Sequence, residues 1–307
     1  MDKKIDKSNL VSLVKWVLKA LGLLLLIGCE PKTYEIAYVT GQGNDNLDVF
    51  ITNTGNGEAQ NLTNSDATEY NLTWTADGTS IYFTSYENGG RKIKSINVTT
   101  KEVSTVIQDS LVLSVSDVSL DNRKLIISTK EHHPKGELYI YDRESGEKKR
   151  LTNNELYEAG AKFSPDQKII VAGIQTKAGD SLNHSGISEI FSIRMEDLNT
   201  TQLTNLKGFS ALPQFSPNGK FVAFHKCGNE GCDIYSMNSD GSDLQNLTKG
   251  EDDNRWPRWS PNGKWLMFTK TKEGSSSDIY LISRDGKTVE PVITTEFRDE
   301  IAIFKPN

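Results

Sequence analysis

Three acidic side chains are of the type that acid–base cleavage of a sugar chain would require. Glu69, Glu158 and Asp299 each lie a few residues before a repeated turn motif, so a fold that gathers the motifs would gather the acids. Such cleavage needs two carboxyl groups at a workable separation. No G-x-S-x-G motif is present, and the histidines, His132, His133, His184 and His225, are scattered. We therefore predict no catalytic residue, no cofactor and no metal site, with a carbohydrate-active lyase or hydrolase as the alternative.

A second set of side chains has the chemistry of ligand binding. It combines aromatic rings, acids and two arginines, and its members lie four to seven residues before the same turn motifs. A concave surface of this composition suits a peptide or a sugar. The alternative interpretation is a row of ordinary polar loops. The predicted ligand- or partner-binding residues are Glu69, Tyr70, Tyr157, Glu158, Phe209, Asp253, Arg255, Trp256, Arg298 and Asp299.

The turn motif that would position these residues recurs along the chain. The sequence SPNGK occurs at residues 216–220 and again at 260–264. Pro217 presets the φ of a type I turn, and Gly219 supplies the positive φ that ends a bulged hairpin. We call the first residue of each copy its anchor. Looser copies complete a series of anchors at Thr75, Ser119, Ser164, Ser216, Ser260 and Lys305, with spacings of 44, 45, 52, 44 and 45 residues.

Each repeat contains the pattern of four short strands. A near-continuous apolar run follows the turn, as expected for a strand buried on both faces. A third strand begins with an acid, and a fourth segment ends in Leu-Thr, as at Leu203-Thr204 and Leu247-Thr248. Four strands in about 45 residues are typical of one blade of a β-propeller. The acids that open the third strand are Asp48, Glu137, Glu189, Asp233 and Asp278.

The two ends of the repeated region are complementary. The segment at 35–40 reads as a second strand without an anchor before it, and the segment IFKPN at 303–307 stops at an anchor. Pairing them would supply the missing strand of one blade and remove an exposed sheet edge. The fold prediction is therefore an all-β, six-bladed β-propeller that is closed when the C-terminal strand joins the N-terminal blade.

These repeats resemble the TolB-type, WD-repeat-like propeller family over roughly residues 35–307. The two SPNGK copies match the family pattern closely, whereas Asn122 and Gln167 replace the turn glycine of other copies. Asn accepts a positive φ fairly well and Gln accepts it poorly. The resemblance implies the propeller fold but not a function, because propellers host many unrelated activities.

The N-terminal residues resemble the signal of a bacterial lipoprotein. Lys3, Lys4 and Lys7 lead, and an apolar run at 21–27 follows that is too short to span a bilayer. The run ends in the sequence LIGC, whose last residue is Cys29. The resemblance implies removal of residues 1–28, a lipid on Cys29 and a short tether at 29–34 before a propeller at 35–307. A plain secretory signal with an incidental cysteine is the alternative.

The charge and the cysteine content of the chain limit which environments and which partners are expected. Residues 1–28 contain five lysines and two aspartates, so their removal changes the net charge from −6 to −9. An acidic domain of this kind argues against nucleic acid as a partner. Cys227 and Cys232 flank a short loop at a predicted hairpin tip, where facing residues lie within disulfide reach. Free thiols and a metal site are the other interpretations of this pair.

The prediction is a non-enzymatic, lipid-anchored module of the bacterial cell envelope, on the periplasmic face or the cell surface. Its channel mouth would bind a segment of an envelope protein or a glycan, and the bilayer would hold it through the acyl chains on Cys29. A structural subunit that uses blade edges is a third possibility. The sequence leaves the oligomeric state open.

Overall fold

The computed structural model describes residues 33–42, 46–55, 57–179, 186–229, 231–250, 252–271 and 276–306. These residues form 24 strands, the first beginning at Glu35 and the last ending at Phe304. None of them belongs to a helix with the length and hydropathy of a membrane span. The predicted signal, Cys29 and residues 30–32 of the predicted tether lie outside the described residues. The all-β class is confirmed.

Antiparallel neighbours make up nearly all of the strand pairing. The first three sheets, in chain order, contain β1 (Glu35–Thr40), β2 (Asp48–Asn53), β3 (Gln60–Asn61) and β24 (Asp299–Phe304); β4 (Thr68–Trp74), β5 (Ser80–Glu87), β6 (Gly90–Asn97) and β7 (Val103–Ile107); and β8 (Val112–Val118), β9 (Lys124–Thr129), β10 (Glu137–Asp142) and β11 (Lys148–Arg150).

Three further groups of four strands follow. They are β12 (Glu158–Phe163), β13 (Ile169–Lys177), β14 (Ile187–Arg194) and β15 (Thr200–Gln202); β16 (Phe209–Phe215), β17 (Phe221–Gly228), β18 (Gly231–Asn238) and β19 (Gln245–Asn246); and β20 (Asp253–Trp259), β21 (Trp265–Thr271), β22 (Ser277–Ser283) and β23 (Val289–Ile293).

The predicted count of six blades does not appear as six separate sheets. The described strands form four sheets of four strands and one sheet of eight, which runs from β12 to β19. Its two halves meet at a single parallel bridge between Ser188 and Phe209. There the Ser188 amide donates to the carbonyl of Gly208 at 2.9 Å, and its hydroxyl donates to the carbonyl of Ser210 at 2.8 Å. These bonds merge two antiparallel groups into one sheet.

The closing pair joins the two ends of the repeated region as predicted. β24 pairs antiparallel with β1, with Phe304 opposite Ile36 and Asp299 opposite Thr40. Lys305 extends the pairing, since its amide donates to the carbonyl of Glu35 at 2.9 Å and its ammonium lies 2.7 Å from the Glu35 carboxylate. The chain is therefore closed by an edge-to-edge pairing of distant segments.

The repeated turn is fastened by the side chain of its anchor. In the copy at Ser216, the hydroxyl donates to Asn218 Oδ1 at 2.8 Å and accepts from the Phe221 amide at 3.0 Å. Gly219 has a φ of 69°, as the turn requires. Asn122 and Gln167, at the two positions without glycine, still adopt φ values of 58° and 57°. The turn geometry therefore survives the loss of glycine.

The acid and Leu-Thr columns of the repeat bond to each other. Thr204 Oγ1 donates to Glu189 Oε2 at 2.6 Å and accepts from the Ile190 amide at 2.9 Å. The same pair of bonds joins Thr248 to Asp233 and to the amide of Ile234. We call these pairs the outer fastenings. They hold the start of a third strand to the chain that leaves the fourth.

The apolar core lies between neighbouring groups of strands. The second strands contribute continuous buried runs, such as Leu125 to Ile127 in β9 and Ile170 to Ala172 in β13. The closing strand adds Ile301 and Ile303 to a cluster shared by the first two sheets. Burial on both faces confirms the interpretation of the apolar runs.

The two cysteines face each other at the tip of the β17–β18 hairpin. Cys227 and Cys232 are opposite in register, and the structure joins their sulfurs in a disulfide with a Cα–Cα distance of 3.9 Å. The bond lies across the mouth of the hairpin loop that the sequence indicated.

Candidate functional site

Six first strands surround the centre of the molecule. β4 contacts β8, β8 contacts β12, β12 contacts β16, β16 contacts β20, β20 contacts β24, and β24 contacts β4. The contacts therefore close on themselves. Side chains that leave these strands on the inner side converge on a common axis, which we call the central channel.

A backbone irregularity recurs in these first strands. The register against the second strand shifts between Tyr70 and Thr73, between Ala211 and Gln214, and between Arg255 and Arg258. Bulges of this kind re-aim side chains and are common beside functional sites. Four residues before five of the anchors, φ is positive, at Asn71 (57°), Gly160 (67°), Leu212 (52°), Trp256 (55°) and Ile301 (55°).

The positive φ at Leu212, Trp256 and Ile301 carries backbone strain. Bulky and β-branched residues rarely occupy the left-handed region, and such strain clusters at binding sites. At Gly160 the reason for glycine is visible, since a Cβ there would lie 2.3 Å from Leu212 Cδ2. Only Asn71 and Gly160 in this column are residue types that favour a positive φ, so the residue types alone are a weak signal of it.

A cavity of about 340 Å³ opens at one end of the central channel, and we call it the mouth cavity. It brings together residues from five of the six first strands. Among the predicted binding residues, those that line it are Tyr70, Tyr157, Glu158, Phe209, Arg255 and Trp256. Glu69, Asp253, Arg298 and Asp299 are not among the described residues that line it.

The three candidate acids are buried and accept hydrogen bonds from neighbouring side chains, so they do not form an open catalytic pair. Glu69 is 1% exposed and accepts from the Ser65 and Ser85 hydroxyls, and Asp299 is 1% exposed and accepts from Thr295 Oγ1 at 2.6 Å. Glu158 does line the mouth cavity, but Thr152 and Asn154 donate to its two oxygens. The carboxyl groups of Glu69 and Asp299 are therefore turned towards hydroxyl groups of the fold, and their part in ligand binding stays a prediction.

Burial controls the proton affinity of these acids. It raises the pKa of Glu69 to about 7 and of Glu158 to about 7, although the hydrogen bonds from neighbouring hydroxyl and amide groups act in the opposite direction. Burial also raises the pKa of Asp299. Carboxyl groups that lose water are easier to protonate.

The remaining two predicted residues form local ion pairs. Asp253 Oδ1 lies 2.7 Å from Arg255 Nε, which orients an arginine that does line the mouth cavity. Arg298 is 62% exposed and lies 2.8 Å from Glu300 Oε1. The first ion pair positions Arg255, which lines the mouth cavity. The second ion pair holds Arg298, which is not among the residues that line it.

The mouth cavity contains residues that the sequence did not single out. Arg91, at the start of β6, donates from Nε to the Tyr70 hydroxyl at 2.9 Å. His225, on β17, lies opposite Ala211 and is 3% exposed. Neither belongs to a first strand, so counting back from the anchors could not find them.

A mostly polar ring narrows the channel below the mouth cavity. Its members lie two residues before the six anchors, and we call them the channel neck. Lys162 and Arg258 line both the mouth cavity and a second cavity of about 350 Å³ beyond the neck. This regular column was available in the repeats and would have revealed the site. The channel neck consists of Thr73, Asp117, Lys162, Gln214, Arg258 and Ile303.

One carboxylate in the neck faces two cations. Lys162 Nζ lies 3.2 Å from Asp117 Oδ1, and Asp117 Oδ2 accepts from the Phe163 amide at 2.9 Å. Arg258 donates from Nη1 to the carbonyl of Pro257 at 2.9 Å, and its Nε has no hydrogen-bond partner. Burial lowers the pKa of Lys162, and burial lowers the pKa of Arg258 to about 10. Arg258 therefore remains cationic at neutral pH.

Comparisons with known proteins agree with this architecture. The TolB beta propeller domain family matches residues 97–306. TolB from Acinetobacter baumannii has a similar structure, with a TM-score of 0.77 and 18% identity over 89% of this chain and 67% of that one.

Two further structures show the same similarity of fold. Putative TolB from Agrobacterium tumefaciens gives a TM-score of 0.70 at 16% identity, over 90% of this chain and 100% of that one. Oligogalacturonate lyase from Vibrio parahaemolyticus gives 0.57 at 16% identity, over 87% and 75%. At such identities the likeness establishes the fold alone.

Proposed function

Because this chain belongs to the TolB β-propeller domain family, we propose that it is a non-enzymatic interaction module of the bacterial cell envelope. Its mouth cavity binds an extended segment of a partner protein, with a glycan as the other ligand class. The observation that carries the proposal is the convergence of Tyr70, Tyr157, Phe209, Arg255 and Trp256 on one concave surface. Aromatic residues and arginines dominate the energy of protein interfaces.

We also propose that the strands make six blades, with the eight-stranded sheet counted as two. Two observations support this count. The six first strands contact one another in a closed ring, and a single parallel bridge joins the halves of the large sheet. Each blade then contributes one residue to the channel neck, and five of the six contribute residues to the mouth cavity.

We further propose that residues 1–28 are a lipoprotein signal and that Cys29 carries the anchor. Residues 30–34 would reach about 16–18 Å when fully extended, which holds the propeller close to the bilayer. The Cys29→Ser variant should move to the soluble fraction. Recovery of that variant from washed membranes would contradict lipid anchoring.

Site-specific photo-crosslinking tests the interaction proposal. A photoreactive residue in place of Tyr157, which is 40% exposed, should capture one envelope protein in cells. The captured band should fall at least tenfold when Trp256→Ala and Arg255→Ala are added. The same photoreactive residue at Lys135, in an exposed outer loop, is the positional control and should not capture that protein.

The melting temperature of the double variant must stay above the crosslinking temperature, since Trp256 also packs against a core cluster. A Lys135→Ala variant with the probe at position 157 should capture as the wild type does. Lys272, the matching outer-loop position, lies outside the described residues. If the variant with Trp256→Ala and Arg255→Ala captures the protein as the wild type does, the proposal is wrong.

A further inference from the structure

The channel neck contains two basic side chains and one carboxylate. Lys162 bonds to Asp117 and lies 3.4 Å from Thr73 Oγ1, and Asp117 also accepts from the Phe163 amide. Both oxygens of Asp117 are therefore engaged. Arg258 is 6% exposed, and among the described ion pairs it has no carboxylate within 4 Å. Asp117 still acts on Arg258 from a distance, but a buried cation that no carboxylate contacts is unfavourable for folding.

Two unsatisfied nitrogens lie beside the mouth cavity. Arg258 Nε and His225 Nδ1 are both buried and have no hydrogen-bond partner, and both residues line the cavity. Buried polar atoms are otherwise almost always paired, so each unpaired atom calls for a reason. A ligand in this cavity that accepts hydrogen bonds would supply partners for such atoms.

The charged residues around these two nitrogens indicate the charge of the ligand group that would bind there. Arg91 and Arg255 add two cations at the mouth, while the chain as a whole has a net charge of −6. Burial, Arg255 and Arg258 lower the pKa of His225 to about 3, so its ring is neutral at pH 7. A neutral imidazole can donate from one ring nitrogen, and a guanidinium only donates. Among the described residues that line the mouth cavity, Glu158 is the one acid beside three arginines and Lys162, and this balance favours an anion.

We propose that the central channel binds a carboxylate of the partner segment against Arg258 Nε and His225 Nδ1. The inference rests on the proposed function and names the chemistry that the mouth cavity selects. The carboxylate comes from a chain terminus or from an Asp or Glu side chain. Tyr157, Phe209 and Trp256 contact the residues beside it. Arginine is the side chain best suited to hold a carboxylate in a buried site.

The first test separates a binding role from a structural one without any ligand. Arg258→Met and Arg258→Gln remove an uncompensated buried charge, so the full chain in mild detergent should melt at the same temperature or about 2–4 °C higher. Arg194→Met and Arg194→Gln, at an arginine that is 58% exposed and paired with Asp197, are the matched controls and should leave Tm unchanged. A fall in Tm of both Arg258 variants would overturn the proposal.

The second test uses three peptides and selectively labelled arginine. The signal of Arg258 Nε–H is identified by its absence in Arg258→Gln. Acetyl-Ala-Phe-Ala with a free carboxylate, or acetyl-Ala-Glu-Ala amide, should shift that signal saturably, and acetyl-Ala-Phe-Ala amide should not. The first peptide reports a chain terminus and the second a side chain. Arg258→Gln should bind the active peptide at least tenfold more weakly, whereas Arg194→Gln should bind it as the wild type does.

The remaining outcomes separate this inference from the proposed function. If Trp256→Ala abolishes crosslinking at position 157 while Arg258→Gln captures the same protein fully, the interaction module stands and the carboxylate site falls. A shift of the Arg258 signal by glucuronate, with none from either carboxylate peptide, would overturn the peptide source. Equal shifts from the amide and the free acid would overturn the carboxylate.

Discussion

The outer fastenings and the channel neck both contain buried charged side chains, but the hydrogen bonding of these side chains differs. Glu189 is 1% exposed, and its two oxygens accept from the Thr204 hydroxyl and from the amides of Leu206 and Lys207. Arg258 is buried to a similar degree, yet its Nε has no partner. The first arrangement completes a hydrogen-bond network within the fold, and the second leaves one incomplete.

This difference shows that burial alone does not identify a functional charge. Both regions recur at fixed positions in the repeat, so periodicity does not separate them either. The two regions differ in whether the chain itself supplies hydrogen-bond partners for the buried polar atoms. Stability experiments on the two regions should therefore give changes of opposite sign.

Opening the ring should have the largest effect, because both regions depend on closure. Deleting residues 297–307 removes β24 and the buried Ile301, Ile303 and Phe304. Each such side chain stabilises the fold by about 1.5–3 kcal/mol, so the free energy of unfolding should fall by more than about 5 kcal/mol. Urea unfolding followed by circular dichroism measures the change.

Removal of residues 306–307 alone is the control, and it should unfold as the wild type does. A truncated chain lacking residues 297–307 with an unchanged urea midpoint would refute the closed ring.

A fastening acid should come next in size. Glu189→Ala leaves the Thr204 hydroxyl and two amides without their acceptor, and breaking a buried hydrogen-bond network with one substitution costs on the order of a few kcal/mol in total. We expect a loss of about 2–4 kcal/mol in urea unfolding, against no loss for Arg258→Met. If the two variants change stability in the same direction, the contrast between the regions is wrong.

Two buried acids should make stability depend on pH. The native state keeps protons on Glu69 and Glu158 up to a pKa of about 7, whereas the unfolded chain releases them near 4.5. Between these values the unfolded state binds fewer protons, so the free energy of unfolding falls as pH rises, on the order of 2–5 kcal/mol in total.

Urea midpoints at pH 5.0 and pH 7.5 measure this slope. Glu158→Gln keeps an acceptor but cannot ionise, so the fall should be roughly halved. A flat profile in the wild type would show that these acids are ionised throughout.

The smallest effect should come from exchanging turn residues between two copies of the repeat. Gln167 has a φ of 57°, and Gly219 has a φ of 69° at the matching position. The left-handed conformation costs a non-glycine residue about 1–2 kcal/mol, partly offset by the greater entropy that glycine loses. Gln167→Gly should stabilise by about 0.5 kcal/mol and Gly219→Gln should destabilise by about as much, as measured by thermal melting.

The sequence was sufficient for the strands and the closing pair because these depend on local signals. SPNG specifies the turn, the apolar runs specify the double burial, and IFKPN is the complement of a second strand without an anchor. The count of separate sheets was not predictable, since one parallel bridge at Ser188 merges two groups through bonds to backbone carbonyls.

The candidate site was predicted only in part. Counting back from the anchors found Tyr157 and Arg255, whose side chains enter the mouth cavity. Glu69 and Asp299 lie at the same spacing but are not among the residues that line this cavity, because alternate residues of a strand point to opposite sides and bulges shift that alternation. Counting back missed Arg91 and His225, which approach from other strands and carry no periodic signal.

The pairing of β1 with β24 has a consequence for how the chain acquires its structure. β1 is synthesised early, and its partner is the last of the 24 strands to be made. β2 covers one edge of β1 soon after synthesis, but the edge that β24 will pair with stays open until then. Contacts between such distant segments slow folding and leave intermediates prone to aggregate. Newly made chains of this protein should therefore need a chaperone that covers the open edge of β1 until Asp299–Phe304 becomes available.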